Sequence, residues 1–572
     1  MGLASEKETA VANDNKNNIA LSLNEKDRDL EHAKNCNENA ADTKKKPKSA
    51  AEDDDEGKVY PPTSSVALVM IGLYLSIFLV SLDRTIIATA VPRITDEFHS
   101  IDDIGWYASA YMITACAFQL IFGKIYTFYS SKWVFLTSVA LFELGSLICG
   151  VAPNSTALIV GRAVTGLGSA GILSGSIVLT VHIIPLRQRP IYQSFMGAVI
   201  LISSVVGPII GGAFTTNLTW RWCFYINLPI GGATIIVLIL LLPAKNMNQT
   251  EDEMSAHKLT VRQKFIQLDP IGTFFFLPGI VCLLLALQWG GATYAWSDGR
   301  IIALWLLFGI CMIVFGVVQV WQKENATLPP RILAYRSVTA STCFAFCISG
   351  SLMAVIYFLP LWFQAIQNVD AVQSGIRTLP VIIALVVSSI IAGGSVSKLG
   401  YYTPFLILCS VIMSIGAGLL MTFKVDTPQP VWIGYQVVFG FGIGLGQQQA
   451  GLAAQTVLPV KDVPIGVSLK FFGQQLGGAI FASVAQSVLN QRLVDGLADL
   501  AIPGINPAVI ASLGAIELRE YVGPEFLNKV LVVYNHAIDG TFEVATILAA
   551  LSLIGALLTE WKSVKGMDIK GA

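Results

Sequence analysis

Charge is scarce in this sequence. Only 13% of its 572 residues are Asp, Glu, Lys or Arg, about half the share of an ordinary soluble domain. The first 60 residues hold 24 of those 75 charges, so the remainder cannot present the charged surface of a large soluble core. A net charge of -1 offers no basic face, and nucleic acid is not an expected partner. No GxxxxGK[ST] pattern occurs, which leaves no P-loop for ATP-driven work. Five histidines and nine cysteines form no cluster and no CxxC pair. Eight of the cysteines, among them Cys116, Cys149 and Cys409, fall in or beside apolar runs and read as small packing residues. No metal, cofactor or nucleophile–base pair is therefore expected, and the chain does not read as an enzyme. A secretory signal is also missing. Residues 1–64, with KKKPK (Lys44–Lys48) before EDDDE (Glu52–Glu56), read as a solvated tail that cannot bury enough surface to fold.

Apolar sequence is abundant, at 54% of the chain. A helix needs about 20 mostly apolar residues to cross a bilayer. Fourteen such runs are legible, at about 66–89, 105–123, 133–152, 157–179, 192–214, 221–242, 270–290, 301–320, 339–363, 375–396, 404–423, 431–453, 465–489 and 541–561. This is an all-α polytopic membrane protein, with the lipid bilayer as its solvent. An even count puts both termini on one side. Placing them in the cytoplasm gives sixteen Lys and Arg inside against eight outside, as the positive-inside bias requires. The sequons at Asn154 and Asn217 then lie outside as glycosylation candidates, while those at Asn248 and Asn325 lie inside. A long outer loop is expected over 490–540.

Ionisable residues interrupt these runs. The stretch FLVSLDRTIIATAVPRI places Asp83 and Arg84 side by side in the first span. A carboxylate there costs several kcal/mol if it faces lipid, so it faces the bundle or water. Either Asp83 and Arg84 neutralise partners on neighbouring helices, or Asp83 is a site that loads and unloads a proton. Glu143 lies near the middle of the third span and is open to three readings: proton relay, recognition of a cationic substrate, or a hydrogen-bonded core residue. Arg162, near the outer end of the fourth span, has Asp83 and Glu143 as candidate partners by depth. In the fifth span, Gly207, Gly211 and Gly212 allow close helix approach, and Pro208 permits a bend. Gln119, Gln364, Gln436, Gln447 and Gln474, with Tyr357 and Trp362, are candidates for a cavity lined by amides and aromatics. Such a pocket suits neutral, amphipathic, polycyclic compounds.

These stretches resemble one family. LDRTIIATAVPRI (Leu82–Ile94) resembles the first-helix signature of the 14-helix drug:proton antiporters of the major facilitator superfamily. GRAVTGLGSAG (Gly161–Gly171) is similar to the superfamily's fourth-helix Arg motif, and GAVILISSVVGPIIGG (Gly197–Gly212) to its fifth-helix antiporter motif. WRWCFYINLPIG (Trp220–Gly231) resembles fungal members, and GQQLGGAIF (Gly473–Phe481) adds a weaker likeness in the second half. The resemblance implies two six-helix bundles, 65–243 and 338–562, with two inserted helices in 244–337 and a cytoplasmic tail at 563–572. It implies proton-coupled export of a drug, toxin or secondary metabolite by a monomer, with Arg162 implicated in proton transfer. The plasma membrane is the expected site, with the vacuolar membrane as alternative. Two other functions stay open: an importer of siderophores or vacuolar basic amino acids, and a receptor of the same fold that does not transport. One motif departs from the pattern. The gating loop after the second helix reads GKIYTFYSSK (Gly123–Lys132), with Thr127, Phe128 and Ser130 where the family has Asp, Arg and Gly. Its echo in the second half has Ser397 in the acidic place.

Overall fold

The computed structural model describes residues 63–100, 103–241, 266–291, 294–500, 522 and 524–565. The expectations for the N-terminal tail up to residue 62, the sequon at Asn248, the centre of the outer loop and the end of the C-terminal tail lie outside the described residues. Among those described there is no strand, only the two isolated bridges Gly290–Tyr294 and Tyr401–Ser563.

The first half contains α1 (Thr63–Phe98), α2 (Ile104–Phe128), α3 (Ser131–Gly150), α4 (Ser155–Ile183), α5 (Arg189–Asn217), the short α6 (Trp222–Tyr225) and α7 (Asn227–Leu241). Two helices follow, α8 (Pro270–Trp289) and α9 (Gly299–Gln322), and then the short α10 (Pro330–Ala334). The second half contains α11 (Arg336–Ala365), α12 (Ala371–Arg377), α13 (Leu379–Leu399), α14 (Thr403–Leu420), α15 (Gln429–Gly446), α16 (Gln449–Val457), α17 (Val463–Asp499) and α18 (Pro524–Leu558). Within the first half α3 and α2 pack on α4, and α1 packs on α5 and α7. Within the second, α11 packs on α17 and α18, and α15 on α13 and α14. The halves meet along α5–α13 and α2–α17, while α8 and α9 pair with each other and α8 also touches α2 and α17.

Twelve of these segments are long and apolar enough to cross a membrane. The other two of the fourteen expected spans are also helical, as α15 with α16 and as α17. Their Gln and Gly content keeps them from qualifying by composition alone. Such residues are tolerated because both spans pack inside the bundle, with Phe439, Ile443, Ala450 and Leu452 of the first and Ser468 and Ala485 of the second all at 0% exposure.

Two boundaries differ from the sequence reading. The first helix does not stop near residue 89 but continues through Pro92 to Phe98. Pro92 lies in its last two turns, where one lost backbone bond is tolerated, and Thr95 caps the turn by donating to the carbonyls of Val91 (3.1 Å) and Pro92 (2.8 Å). The stretch 490–540, expected as a loop, is helical at both ends. In α17 Arg492, Asp495 and Asp499 share one face by helical period, while Leu489, Leu493 and Leu497 recur every fourth residue and are at most 3% exposed. They belong to the same buried cluster as Val530, Leu531, Tyr534 and Ile538 of α18. The 37 residues of α17 span about 55 Å at 1.5 Å per residue, well beyond a hydrocarbon core of about 30 Å. The last turns therefore stand clear of lipid, where burying each leucine stabilises by about 1.5–3 kcal/mol.

Asp269 ties the inserted helices together. Its buried carboxylate accepts from Gly272 N (2.7 Å), Gln319 Nε2 (2.7 Å), Gln322 Nε2 (2.7 Å), and both the backbone N (2.8 Å) and hydroxyl (2.9 Å) of Thr327. Charge-assisted bonds of this kind contribute about 1.5–3 kcal/mol each, so the α9–α10 connection is fixed to the start of α8.

Candidate functional site

Asp83 lies twenty residues after Thr63 and fifteen before Phe98, nearer the middle of α1 than a helix ending at residue 89 implies. It is fully buried, and its Oδ2 accepts from Arg162 Nη1 at 2.5 Å. Of the two partners considered for Arg162, the structure brings Asp83. Arg162 also donates from Nε to the carbonyl of Tyr107 (2.8 Å), and its guanidinium lies 4.7 Å from the centre of the Tyr111 ring. Asn227, at the start of α7, donates to Asp83 Oδ1 (3.3 Å) and to Ser146 Oγ (3.0 Å). Four helices thus converge on one charge pair. Sequence reasoning misses Asn227, because it lies in a stretch that stands out for its likeness as a whole. Its being the one amide in an otherwise apolar run is the available signal. Arg84 turns away from this pair and lies half-buried, 5.9 Å from the centre of the same Tyr111 ring.

Glu143, on the face of α3 that carries Ser146, is 9% exposed, and neither carboxylate oxygen has a hydrogen-bond partner among the described residues. It packs against α7 where Gly231 leaves room: a Cβ built there would stand 1.7 Å from Glu143 Oε1. An ionised carboxylate buried with no donor is expensive. The position therefore favours a carboxyl that holds a proton or one that meets a passing cation.

In α5, Gly207 and Gly211 face α1. Added Cβ atoms would meet Thr85 Oγ1 at 2.1 Å and Thr89 Oγ1 at 2.2 Å. Gly212 is expected beside them, but a Cβ added there would have nothing within 4 Å, because it is 100° round the helix from Gly211. Pro208 sits within an unbroken α5. The near-terminal part of α5 instead faces the second half, with Gly197 against Gln448, and Pro190 and Ser194 against Gly393.

All hydrogen bonds between the halves among the described residues lie toward the end marked by Thr63. Gln475 donates to Gln119 (3.0 Å), Ser174 and Ser468 share a bond (3.0 Å), and Gln193 donates to Gln455 (3.1 Å). Toward the Phe98 end, the bonds from Arg221 to Glu97, Tyr107 to Ser155, and Trp362 to Asn535 stay within one half. The departure in the gating loop is matched here. Lys124, buried, donates to the carbonyls of Gln267 (3.5 Å) and Glu324 (3.3 Å). Arg331 on α10 pairs with Asp462 (2.7 and 3.1 Å) and Glu324 (3.3 Å). The connection after α9 is thus held from both halves.

The polar set does not form one chamber wall. Gln119 is buried between the halves and bonds Ser174. Gln436 is buried and donates to the carbonyl of Arg377 (3.0 Å). Gln474 accepts from Lys470 (2.6 Å), Gln364 donates to Ser374 (3.0 Å), and Gln447 marks the break between α15 and α16. Trp362 is not on a cavity wall. It is fully buried, donates to Asn535 (2.8 Å) and packs 4.6 Å from the Phe423 ring. Tyr357 is 59% exposed. Asn154 serves as N-cap of α4, accepting from Ala157 N (2.9 Å), and Asn217 is exposed with its amide donating to Ala213 (3.1 Å).

Comparison with known proteins places this arrangement. Residues 73–482 match the sequence family described as Major Facilitator Superfamily. The "MFS-type efflux pump MFS1" of Arthroderma benhamiae is 50% identical over 533 residues, covering 93% of this chain and 98% of that protein. "Efflux pump aflT" of Aspergillus parasiticus is 50% identical over 498 residues, covering 87% and 96%. "Rubrofusarin-specific efflux pump aurT" of Gibberella zeae is 49% identical over 514 residues, covering 90% and 92%. Two solved structures share the fold: the human organic anion transporter MFSD10 (TM-score 0.55, 12% identity, 86% of this chain and 100% of that one) and the proton:xylose symporter XylE (TM-score 0.53, 14% identity, 86% and 95%). With relatives this similar over nearly their whole length, and with the family match running from the ion-pair helix into α17, the chain belongs to the Major Facilitator Superfamily.

Proposed function

We propose that this protein exports a hydrophobic or amphipathic small molecule, of the secondary-metabolite or toxin kind, in exchange for protons. The observation that carries the coupling is the fully buried Asp83–Arg162 pair beside the unpartnered carboxyl of Glu143. The relatives named as efflux pumps support the direction of transport. The termini lie in the cytoplasm of a plasma-membrane protein acting as a monomer. On that orientation the closed Thr63 end faces the cytoplasm, and the structure is the outward-facing state, in which cargo leaves and protons enter.

A proton on Asp83 removes the negative partner of Arg162, which then keeps only the Tyr107 carbonyl and the Tyr111 ring. The bond that holds α1 to α4 weakens, and α1 becomes free to shift within the first half, a movement that would let the halves rock about the midplane. Glu143, one helix away, offers a second place for the proton. Reconstituted into liposomes, the protein should move rubrofusarin, or a fluorescent amphipathic dye, at a rate set by the pH gradient. Glu143→Gln should cut gradient-driven flux by about a hundredfold or more, on the scale of one lost proton-transfer group, while the purified protein keeps its normal elution profile. Flux that is equal with and without the gradient would overturn the coupling.

A further inference from the structure

The cluster at Asp83 leaves Arg377, in the second half, without a role. Arg377 ends α12 at the Phe98 end, half-buried, and no carboxylate pairs with it among the described residues. Its guanidinium is held by neutral neighbours only. Nη1 donates to Gln367 Oε1, and the group lies 5.9 Å from the centre of the Phe363 ring and 6.0 Å from that of Trp432. Its carbonyl accepts from the buried Gln436 (3.0 Å), whose own Oε1 has no partner. The backbone at Arg377 is thereby anchored to α15.

This arginine borders a cavity of about 600 Å³, within the range of about 300–1,000 Å³ that small-molecule sites occupy. Gln367, Gln373, Gln429, Thr427 and Trp432 supply polar and aromatic wall. Two further features favour negative charge. The first turns of α13, at Leu379 and Pro380, and of α15, at Gln429, both line the cavity, and the N-terminal ends of helices carry partial positive charge. Trp432 is fixed edge-to-face against Phe363, centroids 4.9 Å apart at 75°, so the aromatic wall is rigid. A guanidinium, two helix N-termini and a fixed indole select for a flat ring that carries an acid.

We propose that this cavity binds a planar aromatic compound bearing one acidic group, a phenolate or a carboxylate, and that it is the last contact of an acidic cargo before release. Binding stands on the geometry alone; the release step rests on the export reading above. Arg377 neutralises the acid, the amides of Gln367, Gln373 and Gln429 offer hydrogen bonds to ring substituents, and Trp432, 5% exposed, borders the ring with a fixed indole margin. A lipid phosphate would use the arginine but leave the indole and the amides idle, which is why the aromatic anion is favoured.

The test uses the full-length protein in phosphatidylcholine nanodiscs, titrated calorimetrically with 1-naphthoate and with its neutral isostere naphthalene-1-methanol. Naphthoate should bind about tenfold tighter or better, the scale of one charge-assisted contact. Arg377→Gln should bring the two affinities within about twofold of each other while leaving the alcohol unchanged. Gln429→Glu, at an exposed rim position, should weaken naphthoate alone by adding a repelling charge, and does not depend on the arginine variant folding. Equal binding of acid and alcohol by the unmodified protein, or a naphthoate preference that survives both substitutions, overturns the proposal. So does loss of naphthoate binding when phosphatidylglycerol replaces a fraction of the lipid, since that marks a headgroup site. Flux in liposomes with a neutral dye tests the exporter reading separately, because that measurement does not involve the acid.

Discussion

Asp83→Asn separates a charge pair that merely holds helices together from one that also couples protons. The substitution keeps the size of the side chain and an acceptor for Arg162, but removes the countercharge. Arg162 is 1% exposed and retains the Tyr107 carbonyl at 2.8 Å and the Tyr111 ring at 4.7 Å. Stripping one partner from a buried pair costs about 3–5 kcal/mol, and the desolvated cation–π contact that Arg162 keeps is worth about 2 kcal/mol or more. The loss should therefore be near the lower figure, about 3 kcal/mol, or roughly a hundredfold in the folded-to-unfolded ratio. Reversible unfolding in SDS reads it as a shift of the midpoint to lower detergent fraction. The paired variant Asp83→Leu with Arg162→Met removes both charges and should recover stability to within about 1 kcal/mol of the parent, as apolar replacement of buried pairs does. It should still lack gradient-driven flux. If Asp83→Asn unfolds at the parent's midpoint, Arg162 is not a buried charge in need of Asp83. If the paired variant transports with the gradient, the pair is structural and proton coupling lies elsewhere.

Two further substitutions test packing and closure. Gly207→Leu should abolish flux and destabilise the protein, because even a Cβ there meets Thr85 Oγ1 at 2.1 Å, whereas Gly212→Ala has open space and should change the unfolding midpoint by no more than about 1 kcal/mol; equal effects at the two positions would refute the one-sided packing of α5. Arg331→Gln should loosen the Thr63 end by freeing Asp462, and labelling of Ser468→Cys by a membrane-impermeant thiol reagent should rise severalfold relative to the same cysteine with Arg331 intact; an unchanged rate would show that this ion pair does not hold the halves shut.

The sequence carries the depth of the charges better than their surroundings. Asp83, Glu143 and Arg162 stand out because ionisable groups are rare in apolar runs, and two of them do meet. Depth alone cannot choose between Asp83 and Glu143 for Arg162, since that choice depends on how α3 and α4 are rotated. The same limit explains Gly212 and Trp362. A glycine beside a packed glycine reads the same until its side of the helix is known, and a tryptophan reads as a wall or as core until Asn535 is seen to accept from it. The helical ends of 490–540 are hidden for another reason. Arg492, Asp495 and Asp499 interrupt the apolar run and signal a loop when hydropathy is averaged, although the spacing of Leu489, Leu493 and Leu497 already has the helical period.

The way the halves are joined gives α5 a position no motif announces. Gly207 and Gly211 hold it to Thr85, Ile86 and Thr89 of α1, immediately after Asp83. Thirteen residues earlier, Ser194 and Pro190 of the same helix press on Gly393 of α13, and Gln193 bonds Gln455. Those two contacts are about 20 Å apart along an unbroken helix, with Pro208 as the one place where a backbone bond is missing. A shift of α1 that follows loss of the Asp83 charge must either carry α5 with it, pulling Ser194 off Gly393 and opening the Thr63 end, or break the close packing at Gly207. A physical route of this kind needs an element with two arrangements that both sites bias. The helix that touches the ion-pair helix at one end and the opposite half at the other is the candidate for that element, and the tight fit at Gly207 would make it move with α1 instead of bending away.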